Sequence, residues 1–173
     1  MTVRASIRKQ LFGQGIKHLE LPIEKIAELA DNTRWSDTFK IDEIKAMAEY
    51  MVAYQVDNEA VVVKEGSQDA FMCLLVKGKM AVHKEGSDKA ARNINQIRVG
   101  KTFGEMSLID GEPRSAAVSA IMPSTILVIS EDHFEKLIEE KPRLAIRLVM
   151  HIAKLTSQRL RQSSGMLVDA IAK

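Results

Sequence analysis

A chain of 173 residues is long enough for one domain with a sizeable core and an appendage. Its 46% hydrophobic and 28% charged residues are ordinary for a soluble globular protein, and a net charge of +2 points neither to nucleic acid nor to a membrane surface. The single cysteine, Cys73 in "FMCLLV", excludes an internal disulfide and reads as a buried core thiol in a reducing compartment.

The N-terminal stretch "MTVRASIRKQLFGQG" carries basic residues without the apolar core of a signal peptide. No run approaches the ~20 apolar residues of a membrane span, so a cytoplasmic location is expected. Residues 1 to about 58 read as helical. "LPIEKIAELAD" places Ile23, Ile26, Ala27 and Leu29 at helical spacing behind Pro22, and "KIDEIKAMAEYM" repeats the pattern with Ile41, Ile44, Met47 and Met51. The connection "NTRWSDT" is polar.

From about Ala53 to Ile129 the pattern turns to short β-branched runs: "EAVVVKEG", "AFMCLLVKG", "KMAVHKEG", "NINQIRVG" and "STILVIS". Gly66, Gly78, Gly86 and Gly100 cut them at near-regular intervals, which predicts a β-barrel or sandwich. "LLVKGKMAV" predicts a tight hairpin turning at Gly78.

After Ile129 the chain reads as helical to its end. Ser130 is a good cap for "EDHFEKLIEE", and Pro142 then opens about 30 residues of helix, roughly 45 Å at 1.5 Å each. One apolar stripe runs Leu148, Ile152, Leu155. A second runs Val149, Ala153, Thr156, Leu160, Ser164, Leu167, Ile171. Two stripes need two surfaces, so residues 143–172 are expected to pack on their own domain and on a second copy of the chain; the alternative is a helix broken at Gly165 and folded back. Lys141, Arg143, Arg147, Lys154, Arg159 and Arg161 follow one another with no acid among them, which reads as the wet face of a helix.

The stretch "FGEMSLIDGEPRSAAV" sets one acid, Glu105, after a glycine and one base, Arg114, before small residues. A phosphodiester needs backbone N–H donors that no side chain obstructs, a helix N-terminus, and a fixed cation, for which arginine's fork suits phosphate. Glu105 suits a sugar hydroxyl. The spacing alone leaves a second reading open, a structural ion pair bridging a loop. The four histidines are scattered without metal-ligand spacing, and no nucleophile–base pair is present, so neither a metal nor an enzyme is expected.

The same stretch resembles the phosphate-binding cassette of the cyclic nucleotide-binding domain family, F-G-E-x-x-L, a short gap, then P-R-S/A/T-A. Here it reads Phe103, Gly104, Glu105, Leu108, Pro113, Arg114, Ser115, Ala116. The likeness covers about residues 37 to 165 and is nearest in kind to sensor domains of the catabolite activator type. It implies an α+β jelly-roll β-barrel with N-terminal helices and a long C-terminal helix, with residues 1–36 as an extension and 37–165 as the domain. It further implies that Glu105 accepts from the ribose 2′-hydroxyl and that Arg114 pairs with the phosphate, helped by Ser115 and the Ala116 amide. The backbone of Gly104, Met106 and Ser107 would line the sugar–phosphate, and Val82 and Ile97 would flank the base. On the long helix two registers are open, Arg159 with Leu160 or Ser163 with Ser164, and the serines are favoured as partners for a purine edge. Ser115 favours cyclic AMP over cyclic GMP.

The resemblance thus implies a stand-alone cyclic AMP receptor that dimerises through its C-terminal helix and signals to an effector protein not identifiable from these residues. Two alternatives are a protein-interaction scaffold that reads no nucleotide and a truncated DNA-binding regulator. Relatives of the activator type continue into a helix-turn-helix; this sequence stops at Lys173, so nucleic acid is not expected as a partner.

Overall fold

The computed structural model describes residues 13–86 and 91–171, with side chains described as far as residue 168. The first twelve residues of the expected 1–36 extension lie outside the described residues.

The N-terminal portion is not purely helical. A short strand β1 (Ile16–Leu19) pairs antiparallel with β2 (Val52–Val56), in register from Ile16 opposite Val56 to Leu19 opposite Ala53. β1 falls within sequence expected to be helical, and β2 falls where the expected helical and β-rich regions overlap. Four residues carrying Lys17 and His18 are too few to show a period of two, so the sheet partner decides the conformation. Helices α1 (Ile23–Asp31) and α2 (Ile41–Ala48) form where the 3.6-residue spacing places them. Pro22 is the N-cap of α1. At α2 the Glu43 carboxylate accepts from the Lys40 backbone N–H at 2.8 Å, satisfying a donor that the helix itself leaves open. The connection between the helices is a 3-10 turn (Arg34–Thr38) that buries Trp35 against Phe39.

Seven further strands follow: β3 (Val61–Val63), β4 (Phe71–Lys77), β5 (Lys79–Glu85), β6 (Ala91–Arg98), β7 (Thr102–Phe103), β8 (Ala117–Ala120) and β9 (Ser124–Ser130). They form two antiparallel sheets, ordered β1-β2-β9-β4-β7 and β3-β8-β5-β6. The inner faces share one core that includes Val56, Cys73, Leu75, Met80, Ile126 and Val128. β9 lies between β2 and β4, which is why "TILVI" is apolar without a break.

The expected hairpin at Gly78 does not form. β4 pairs with β9 and β7, whereas β5 pairs with β6 and β8, so Gly78 is a corner where the chain crosses between sheets. Its φ of +94° and the Pro123 carbonyl, which would lie 2.7 Å from any added Cβ, account for glycine at this corner. The sequence signature of a tight turn is the same in both cases; only the pairing partners of the flanking strands differ.

α3 (Glu105–Asp110) lies between β7 and β8. Ser130 caps α4 (Glu131–Glu140), its Oγ accepting from the His133 N–H at 3.2 Å. Residues up to 136 form one compact unit and those from 137 a second. The second is dominated by α5 (Pro142–Ile171), which is continuous through Gly165. The break considered there is absent. One glycine costs a helix about 1 kcal/mol, which the neighbouring turns absorb. Along α5, Leu144, Ala145, Leu148 and Ile152 are buried, while Ile146, Met150, Leu160, Met166, Leu167 and Val168 are exposed. No helix among the described residues is long and apolar enough to cross a membrane.

Candidate functional site

The site is built where β7 runs into α3 and where the following loop returns toward β8. Gly104 is the N-cap of α3, with φ +76°. A Cβ there would stand 2.8 Å from the Phe71 carbonyl oxygen and 2.9 Å from Arg114 Nη1, so the position excludes every side chain by space as well as by backbone conformation. α3 then turns Glu105, Ser107 and Leu108 inward and leaves Met106 and Ile109 exposed.

Arg114 lies in the loop before β8, which begins at Ala117. Its backbone is tied to the turn between β3 and β4. The Gly66 N–H donates to its carbonyl at 2.8 Å, and its own N–H donates to the Ser67 carbonyl at 2.9 Å. The side chain is 4% exposed. Nη1 donates to the Gly104 carbonyl at 2.6 Å and Nη2 to the Phe71 carbonyl at 3.0 Å, and the guanidinium carbon lies 4.3 Å from the centroid of the Phe71 ring. Two carbonyl dipoles and a ring face therefore fix the orientation of the charge.

Nε of Arg114 is buried and has no hydrogen-bond partner among the described residues. A buried donor left in this way costs about 1–3 kcal/mol. Burial holds the guanidinium below its ordinary pKa, while Cys73, Asp69 and Glu105 act in the opposite direction. Glu105, 1% exposed, is thus a buried carboxylate within electrostatic reach of the guanidinium. Cys73, fully buried on β4 opposite Phe103, is pushed far above the ordinary thiol range by burial; Arg114 opposes this shift and Glu105 adds to it. The arrangement amounts to a desolvated cation with an uncommitted donor beside a backbone stripped of side chains, which is suited to holding an anion.

The residues expected at the site fall into three groups. Phe103, Gly104, Glu105, Ser107 and Arg114 come together around the β7–α3 junction and the return loop; Met106 faces outward on α3. Ser115 is exposed and Ala116 half-buried, in the bend leading into β8. Val82 and Ile97 are brought onto one face of the β5–β6 pair, since Met80 opposes Ile97 and Val82 opposes Asn95. Ile97 belongs to the core and Val82 packs against it. Ser163 and Ser164 are exposed on α5 in the second unit. No cluster of metal-ligating side chains occurs among the described residues.

Sequence reasoning missed Phe71, Asp69 and Lys84. Phe71 acts through a backbone carbonyl and a ring face, and neither leaves a mark in a pattern of residue types. Lys84 donates to the Ser115 carbonyl at 2.8 Å, a contact made across 31 residues.

Residues 55–141 match the cyclic nucleotide-binding domain. A cyclic nucleotide-gated potassium channel of Mesorhizobium japonicum is 35% identical over 86 residues, covering 50% of this chain and 22% of the channel. The cAMP-activated global transcriptional regulator CRP of Pasteurella multocida is 26% identical over 114 residues, covering 65% of this chain and 54% of the regulator. The chain thus spans between about a fifth and about half of these two relatives. Among solved structures, a cyclic nucleotide-binding domain from Methylobacillus flagellatus KT superposes with a TM-score of 0.77 at 27% identity, covering 89% of this chain and 90% of that one. The catabolite activator protein of Thermus thermophilus, at 23% identity and a TM-score of 0.67 over 77% of this chain and 61% of that one, shares the fold. The jelly-roll fold, the buried Arg114 beside Gly104 and the match over half the sequence agree: the chain belongs to the cyclic nucleotide-binding domain family.

Proposed function

We propose that this chain is a receptor for a cyclic nucleotide, cyclic AMP before cyclic GMP, and that binding rather than catalysis is its role. The observation that carries this reading is Arg114, a guanidinium 4% exposed with Nε uncommitted. A buried charge with an open donor calls for an anion, and arginine's fork matches a phosphate. In this reading Glu105 accepts from the ribose 2′-hydroxyl. The Ser115 hydroxyl and Ala116 amide assist Arg114, and Val82 and Ile97 flank the base. Ser163 and Ser164 serve the purine edge in the ligand-bound state. The cyclic AMP preference is supported by Ser115 after the arginine and by the name of the Pasteurella regulator, a cAMP-activated protein.

The output is proposed to pass from a homodimer to an effector protein. The exposed stripe of α5, in which Leu160 and Leu167 recur at helical spacing, supports the dimer, because large apolar side chains in a row are normally covered. Ligand that contacts the cassette and the long helix in one state and not in the other would supply the differential affinity a switch requires.

Release of bound small molecules by denaturing the purified protein, followed by mass spectrometry, tests the ligand class. Cyclic AMP at near-stoichiometric amount, or its uptake after incubation, is expected. A chain that retains neither cyclic AMP nor cyclic GMP after saturation would leave a protein-interaction scaffold.

A further inference from the structure

Lys84, near the end of β5, is half exposed, yet its ammonium group is held in place. Nζ donates to the Ser115 carbonyl at 2.8 Å and stands 4.0 Å from Glu65 Oε1. Glu65 also accepts from the Glu85 backbone N–H at 3.0 Å. Ser115 directly follows Arg114, whose backbone is clamped to Gly66 and Ser67 of the turn that contains Glu65. Lys84 therefore bridges from β5 to the short segment that carries the buried guanidinium.

The two cations differ in what they have left to offer. Arg114 has donors on both terminal nitrogens committed to protein carbonyls and is desolvated. Lys84 has three donors on a flexible stem, spends one on the Ser115 carbonyl and stands near the Glu65 carboxylate. We propose that Lys84 is a second cation of the anion site, a positioning residue that fixes the Ser115 peptide and adds positive potential where the phosphate of the nucleotide arrives, tempered by Glu65. This rests on the cyclic nucleotide reading of the site. Its physical signature follows from exposure: a half-exposed charge is screened by salt, whereas the buried Arg114 is screened far less.

The test titrates cyclic AMP and cyclic GMP into the nucleotide-stripped full chain at about 20 mM and about 500 mM salt, between which the Debye length falls from about 20 Å to about 4 Å. Wild type is compared with Lys84→Gln, Lys84→Arg and Glu65→Gln, each checked for an unchanged melting temperature. Lys84→Gln is expected to weaken binding about three- to tenfold at low salt and less than about twofold at high salt. Lys84→Arg is expected to stay within about twofold of wild type, and Glu65→Gln to tighten binding about two- to threefold at low salt. Wild-type affinity in Lys84→Gln at low salt overturns the proposal while leaving the receptor reading intact. A loss equal at both salts also overturns it, reducing Lys84 to a clamp without an electrostatic role. No binding by wild type itself defeats the receptor reading and this proposal together.

Discussion

Arg114 Nη1 lies 2.6 Å from the carbonyl oxygen of Gly104, so the cation of the site is anchored by the backbone of the residue that starts the adjoining helix. The anchor works only because Gly104 has no side chain. Gly104→Ala would place a Cβ 2.8 Å from the Phe71 carbonyl and 2.9 Å from Nη1, at φ +76°. The expected cost is about 1–3 kcal/mol of stability from backbone strain and displacement together, read as a lowered urea midpoint, and ligand affinity should fall with it. An alanine variant with the wild-type midpoint would mean that the loop relaxes freely and does not fix Arg114.

Phe71 supports the same guanidinium from the other side, with its ring 4.3 Å from the guanidinium carbon and its carbonyl on Nη2. Phe71→Leu keeps the carbonyl and most of the apolar volume but removes the ring face. A desolvated cation–π contact of this kind is worth about 1–2 kcal/mol of stability, read as a lowered urea midpoint, and nucleotide affinity should fall as the guanidinium loses its fixed orientation. Equal affinity in the leucine variant would show that the carbonyls alone orient the charge.

The fold was legible where a residue pattern is local, and the site was legible where side chains themselves carry the chemistry. Helices α1, α2, α4 and α5 follow from apolar spacing with Pro22, Ser130 and Pro142 as markers. Glu105 and Arg114 stand out because charge in an apolar β-rich run has few structural uses. What escaped depends on partners far along the chain. β1 is a strand because β2 pairs with it, and Gly78 is a corner because β4 and β5 find different neighbours. The Phe71 carbonyl and the Lys84–Ser115 contact are backbone matters, which side-chain patterns do not encode.

Cys73 gives the protein an alkaline limit. Burial raises its thiol above the unfolded value. Above about pH 8.5 the unfolded chain loses this proton while the folded chain keeps it, so stability falls as pH rises. The slope from this one group approaches 1.4 kcal/mol per pH unit. Denaturant melts between pH 7 and 10 should show wild type losing stability faster than Cys73→Ala; parallel pH dependences would show the thiol ionising alike in both states.

Leu160 and Leu167 are exposed on α5, so their replacement should not disturb the monomer's core. If the proposed homodimer forms through this face, Leu160→Asp with Leu167→Asp is expected to convert it to a monomer in sedimentation velocity, with the unfolding of the monomer changed by no more than about 0.5 kcal/mol. A variant that sediments as the wild type does would remove this helix face from the interface.

Isothermal titration of cyclic AMP into nucleotide-stripped protein, with wild type beside Arg114→Lys and Arg114→Ala, tests the central claim most directly. Lysine keeps the charge but loses the planar fork, which guards against a variant that simply unfolds. Wild type is expected to bind with micromolar or tighter affinity, and both variants, shown folded by their melting transitions, to bind at least about tenfold more weakly. Heat-flat titrations of wild type with both cyclic AMP and cyclic GMP, or folded Arg114 variants that bind as tightly as wild type, would contradict it.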